Sequence, residues 1–175
     1  QEREKAKKSQ SNKHKVLPCQ TCDIDDKKWN DPNTCPGNNC DEYAVNRYEN
    51  DHLQKNRGGI KNPGDKSSQP HMTVRDVSCA EVSRRAVADG FKKTNSKGKC
   101  PCDYHLVYLV VHPKVYYHWY RKDISGGWSH KPGSTQVKEV DASGKKIDDP
   151  SKADDDYSKG GGPNYKNCGY LCAPD

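Results

Sequence analysis

Residues 105 to 121 read HLVYLVVHPKVYYHWYR, and this stretch decides the fold. His105 to His112 is almost continuously apolar and rich in β-branched and aromatic residues, the pattern of a strand buried on both faces. Pro113 and Lys114 form a two-residue step to a second strand, Val115 to Arg121, so the pair predicts an antiparallel hairpin. Lys122 to Gly127 reads as a turn, and Trp128-Ser129-His130 as a third strand.

Helical signals lie upstream. Between Thr73 and Lys92, Val74, Val77, Ala80, Val82, Ala86 and Val87 cluster on one face, and Gly90 suits the left-handed stop of a helix. Cys40 to about Leu53 predicts another helix, with Asn39 as its N-cap, Asp41 and Glu42 in the first turn, and Tyr43, Ala44, Arg47 and Tyr48 at helical spacing. Between Cys19 and Cys40 the chain is rich in turn residues, as is Gln54 to Gln69. Lys159 to Asn164 (KGGGPN) predicts a flexible tail pinned by Cys168 and Cys172. Two helices followed by a small antiparallel sheet describe an α+β domain. The domain spans residues 19–175, behind a flexible basic arm over residues 1–18.

Composition demands staples. The 175 residues are 30% hydrophobic, with one Phe and one Met, which allows one domain with a thin core. Nine cysteines compensate. Disulfides persist in oxidising compartments, and the sequence opens on Gln1 rather than Met, so a secreted protein relieved of a signal peptide is expected. The longest apolar run, Leu106 to His112, is too short to cross a bilayer. An odd cysteine count leaves one thiol over after pairing, as an intermolecular link or a reactive group.

The net charge of +6 is unevenly placed. Gln1 to Lys15 carries Arg3, Lys5, Lys7, Lys8, Lys13 and Lys15 against Glu2 and Glu4. From Glu139 to Tyr157, seven acids (Glu139, Asp141, Asp148, Asp149, Asp154, Asp155, Asp156) face Lys145, Lys146 and Lys152. Opposite-signed segments predict self-association between neighbouring molecules. The aromatic residues lie away from the basic arm, so the chain lacks the stacking platform of a single-strand nucleic-acid binder.

Thiol catalysis needs a cysteine at a helix N-terminus, an imidazole to share its proton and a polar group to orient that imidazole. Cys40 opens the earlier helix, His105 stands at the mouth of the buried strand, and His118 lies thirteen residues on in the next one, where a tight hairpin would bring the two histidines near each other. Asn39, or its amide together with that of Cys40, would help form an oxyanion hole. Cys79 in Ser78-Cys79-Ala80 is the rival free thiol, and His130 is a reserve base with Asp141 as its orienting carboxylate. Against activation, Asp41 and Glu42 place negative charge beside Cys40 and would raise its pKa.

A cysteine beginning a helix, a histidine opening a buried strand and a polar residue on the next strand resemble the papain-like superfamily, in particular its small NlpC/P60-type thiol peptidases and amidases. The segments NNCDEYA, CAEVSRRAVADG, HLVYLVV, YHWYRKD, GWSHKPGST and VDASGKKIDDP also resemble a group of small proteins with NNCYNYA-like and HWYRQD…WSHKPG-like motifs, over roughly residues 38–172. The first resemblance implies a papain-like fold and acyl transfer at a peptide or amide substrate, with Cys40 as nucleophile, His105 as general base and His118 as orienting group. The second implies a shared fold without a reaction.

Cys19, Cys22, Cys35 and Cys40 follow a C-x2-C…C-x4-C order that zinc would accept, though in a secreted chain disulfides are the expected fate of such cysteines. The acids between Asp141 and Asp156 offer oxygen ligands without the spacing of a calcium loop, so a solvated acidic loop is expected there. No cofactor is called for. Three functions fit these features: a papain-like cysteine hydrolase, a non-catalytic secreted structural or self-assembling protein of an extracellular matrix or filament, and a secreted toxin or defence protein that acts by binding.

Overall fold

The computed structural model describes residues 26–33, 35, 38–46, 62–94 and 99–174. The basic arm, Cys19, Cys22 and the second half of the expected first helix lie outside these residues. Three α-helices, α1 (Asp26–Trp29), α2 (Cys40–Ala44) and α3 (Cys79–Ala88), accompany five strands: β1 (Lys92–Lys93), β2 (Tyr104–His112), β3 (Tyr116–Lys122), β4 (Trp128–Ser129) and β5 (Lys166–Pro174). The strands form one antiparallel sheet in the order β1-β5-β2-β3-β4. The fold is α+β.

The hairpin forms as its sequence directs, with Leu109 opposite Trp119 and Val110 opposite His118. Side chains alternate across a strand, so β2 serves two cores at once. Val107, Leu109 and Val111 pack with Trp119, Leu171, Val82 and Ala86 beneath α2 and α3. Tyr108 and Val110 pack with Tyr120, Trp128 and Ile147 on the other face. A strand covered on both sides cannot alternate apolar with polar residues, which accounts for the unbroken apolar run.

The segment expected to be a solvated acidic loop supplies that second cover. Ile147 is 2% exposed, Pro150 is buried, and the buried Asp155 accepts a short hydrogen bond from the Tyr120 hydroxyl. The expected long helix from Thr73 is also divided. A 3-10 turn, Val74–Asp76, comes first; Val77 is extended, and Ser78 then caps α3 by accepting the Glu81 N–H at 3.1 Å. Ser78 is the stronger N-cap, so the helix restarts there and Val74 is left 59% exposed. Gly90, at φ +112°, ends α3 as its sequence implies.

Two disulfides staple the sheet to its surroundings. Cys79–Cys168 ties the start of α3 to β5, and Cys100–Cys172 ties the approach to β2 to the same strand. Cys102 is a second half-cystine on that approach. Cys79 is therefore no free thiol, and its candidacy as a nucleophile ends there.

Candidate functional site

Helix α2 is short and strongly capped. The Asn39 Oδ1 accepts the N–H groups of Asp41 (2.8 Å) and Glu42 (3.1 Å), while Glu42 Oε2 accepts the Asn39 N–H (2.8 Å). This capping box holds Cys40 at the first helical position. It also occupies the Asn39 main-chain N–H, so that amide cannot serve the oxyanion hole expected of it. The buried Lys131 fixes the preceding turn by donating to the carbonyls of Cys35 (2.7 Å), Gly133 (2.9 Å) and Asn38. Below α2, the Arg121 guanidinium lies 3.8 Å from the Tyr43 ring centroid and donates to the Tyr43 hydroxyl at 2.9 Å.

Cys40 is a free thiol, 6% exposed, at the outer edge of β3. Burial pushes its pKa up, Asp41 and Glu42 push it further, and the Trp119 main-chain N–H donated to its sulfur and the Lys131 charge offset only part of this. Asp41 is itself held well above the ordinary carboxyl range, by burial first and then by Glu42; its Oδ1 accepts the Trp119 indole N–H at 3.1 Å. The helix N-terminus that would favour a thiolate is outweighed.

Cys40 and His118 line one cavity of about 380 Å³, together with Asn39, Tyr116, Tyr117 and Tyr165. The His118 Nε2 lies 2.8 Å from His130 Nδ1, and His130 Nε2 lies 2.8 Å from the Val140 carbonyl. A carbonyl only accepts, so His130 Nε2 carries a proton and its Nδ1 accepts the hydrogen bond donated by His118 Nε2–H. The neutral His118 tautomer therefore keeps its lone pair on Nδ1. Both rings stay neutral near pH 7. Burial, then the neighbouring His130, pulls His118 well below the ordinary imidazole range; burial pulls His130 down to about 4 despite the Val140 carbonyl.

His105 is elsewhere. It donates a short hydrogen bond from Nε2 to the Ala44 carbonyl, at the far end of α2 from Cys40. Since His118 pairs with Val110, the two histidines are five residues out of register, about 17 Å along the strand. They also point to opposite faces, His105 with the Val107 set and His118 with the Val110 set. The hairpin therefore separates the histidines it was expected to join, and brings His130 to His118 instead. Asp141 does not orient His130; its carboxylate accepts the N–H groups of Ser143, Lys145 and Asp154 at 3.0 Å each. His130 was named as a reserve base, but joining it to His118 would have required knowing that Trp128–Ser129 pairs with Arg121 and Lys122, a register two residues long.

Cys35, the other free thiol among the described residues, donates its S–H to the Thr135 carbonyl at 3.3 Å, Cys19 and Cys22 lie outside the described residues, and no group of three or more His, Cys, Asp or Glu among the described residues is arranged to hold a metal ion. No helix among the described residues is long and apolar enough to cross a membrane.

Comparison with known proteins supplies the remaining fact. No protein-family model matches the chain, and no solved structure does. Over 129 residues it is 34% identical to insoluble matrix shell protein 1 of Ruditapes philippinarum, a match covering 72% of this chain and 76% of that protein. The chain belongs to the family of insoluble matrix shell protein 1. With its disulfides, this membership makes it a secreted, extracellular protein. For this shell-matrix relative, the histidine pair sets an acid limit. The unfolded chain takes up a proton at His130 near pH 6.5, whereas the folded chain resists until about 4. Stability from this group is complete above pH 6.5 and is lost as pH falls towards 4. In His130→Gln the amide keeps a donor for Val140 and an acceptor for His118. Urea titrations are expected to show wild type losing about 2 kcal/mol more than the variant between pH 6.5 and 4.5.

Proposed function

We propose that this protein is a non-catalytic structural component of an extracellular matrix, which associates with copies of itself. The observation that carries the reading is its 34% identity to an insoluble matrix shell protein over about three quarters of each chain. Three features support it. Disulfides compensate for the thin core, which suits a protein that must persist outside the cell. Burial and two neighbouring acids keep the Cys40 thiol protonated. The sequence also carries opposite charge in Gln1 to Lys15 and in Glu139 to Tyr157, which can meet between molecules.

Sedimentation of the purified chain at low ionic strength should show assembly that grows with protein concentration. It should weaken as added salt shortens the screening length from roughly 30 Å to 8 Å, and vanish when residues 1–15 are removed. A chain that stays monomeric at high concentration and low salt would contradict the reading.

A second reading is favoured by one observation, the cavity shared by Cys40 and His118 with His130 behind them. In this papain-like reading the thiol acts in acyl transfer at an amide. The Sγ proton passes to His118 Nδ1 and sulfur adds to the carbonyl carbon; as the C–N bond breaks, His118 returns that proton to the leaving amine. Water then hydrolyses the thioester to release the acid and restore the thiol, and His130 holds the His118 ring in the required tautomer. Base and orienting group are then His118 and His130, with His105 outside the site. The high thiol pKa opposes this reading and ranks it second.

A further inference from the structure

The cavity beside Cys40 does not end at His118. A second cavity, of about 260 Å³, lies against the first, and the two share His118, Pro132, Pro163 and Tyr165. Together they make one groove across the outer edge of β3. Almost a third of the chain's residues are charged, yet among the described residues no Asp, Glu, Lys or Arg lines either half. Its walls are tyrosines (Tyr116, Tyr117, Tyr157, Tyr165), prolines and glycines. The Tyr165 ring stacks on His118 (centroids 5.7 Å apart, planes 25°) and meets Tyr157 edge-on, a platform fixed before any ligand arrives.

The backbone adds a second feature. β4 pairs with β3 at Arg121 and Lys122, so among the described residues the earlier part of β3 has no strand on its outer side. The Trp119 N–H points that way, to the Cys40 sulfur. Main-chain groups alternate in an antiparallel strand, so the N–H and C=O of Tyr117 also face outward, into the groove. Such an edge receives an extended polypeptide by main-chain hydrogen bonds. A polysaccharide would need a row of polar side chains, but the Oδ1 of Asn39 is taken by its cap and that of Asn62 accepts the Tyr117 hydroxyl at 2.8 Å.

We propose that this groove binds an uncharged, extended polypeptide segment rich in proline and aromatic residues, laid along the outer edge of β3. Aromatic walls suit the preformed proline helix, which has no internal hydrogen bonds and so leaves its carbonyls to accept the outward Tyr117 N–H, and a neutral groove excludes charged side chains that would lose their hydration on entry. The proposal deepens the matrix reading, on which it rests for the partner's being another matrix polypeptide.

The test is calorimetric titration of the full chain with three synthetic peptides of equal length: a neutral Pro/Tyr-rich peptide and versions carrying Lys or Glu at alternate positions. A neutral oligosaccharide is the fourth ligand. The neutral peptide is expected to bind at least about tenfold more tightly than either charged version, with little dependence on salt. Tyr116→Ala, at a side chain 59% exposed and therefore not needed for folding, should weaken binding by about fivefold or more. Equal affinity for the charged peptides, tighter binding of the oligosaccharide, no binding of the neutral peptide, or no effect of Tyr116→Ala would each overturn the proposal. Self-association through opposite charges disappears at high salt and binding to a neutral groove does not, so the two readings fail separately.

Discussion

Replacing Cys79 and Cys168 together by serine is expected to cost about 3–4 kcal/mol of stability, the value that loop-closure entropy assigns to the loop of roughly 25 residues that this bridge closes while Cys100–Cys172 stays intact. The bridge joins positions 89 residues apart and ties the start of α3 to β5. Helix α3 buries only Val82, Arg85 and Ala86, a narrow contact for ten residues. Without the bridge, α3 depends on that contact, while β5 keeps its ladder with β2 and the Cys100–Cys172 bridge. The midpoint of thermal unfolding should fall by about 10–15 °C in non-reducing buffer. Removing both cysteines avoids a stray thiol that could re-pair. A loss below about 1 kcal/mol would mean that packing, rather than the staple, holds α3 in place.

The same bridge marks where the sequence stopped being informative. The β2–β3 hairpin was readable because its residues carry their own signal, a run of Val, Leu and Tyr interrupted by a turn pair. β5 was not readable. Its residues, KNCGYLCAP, include a glycine and a proline, and their burial runs from exposed to buried along the strand. It is a strand because β2 offers it a partner on one side and two disulfides fix it in place, both long-range facts. Reading it as a pinned tail identified the pins and missed the strand.

The site divides in the same way. The place of Cys40 at a helix start was visible in Asn39, Asp41 and Glu42, and so was the electrostatic handicap those acids impose. The choice among histidines depended on register and face. His105 and His118 are both near-invisible to propensity, and only the pairing of Val110 with His118 shows that they diverge. His130 lies just beyond a two-residue strand and is held by a bridge to Lys138, a contact that no local pattern announces.

The second large effect concerns that cysteine. With its pKa raised by burial and by Asp41 and Glu42, the native thiol is almost wholly protonated at neutral pH, and alkylating agents react with the thiolate. Labelling by iodoacetamide should run at least a hundredfold slower at Cys40 in the folded chain than in the chain unfolded by guanidinium. The buried Cys35 should be shielded too, so peptide mapping is needed to assign the modified sulfur.

Measured across neutral pH on the native protein, the rate of alkylation at Cys40 tests the central claim that this family member is a stapled scaffold rather than a thiol enzyme. Slow labelling that climbs steadily as the solution is made more alkaline is the expected result. Rapid labelling of Cys40 that is flat between about pH 6 and 8, and that collapses in His118→Ala, would show a thiolate–imidazolium pair and contradict it.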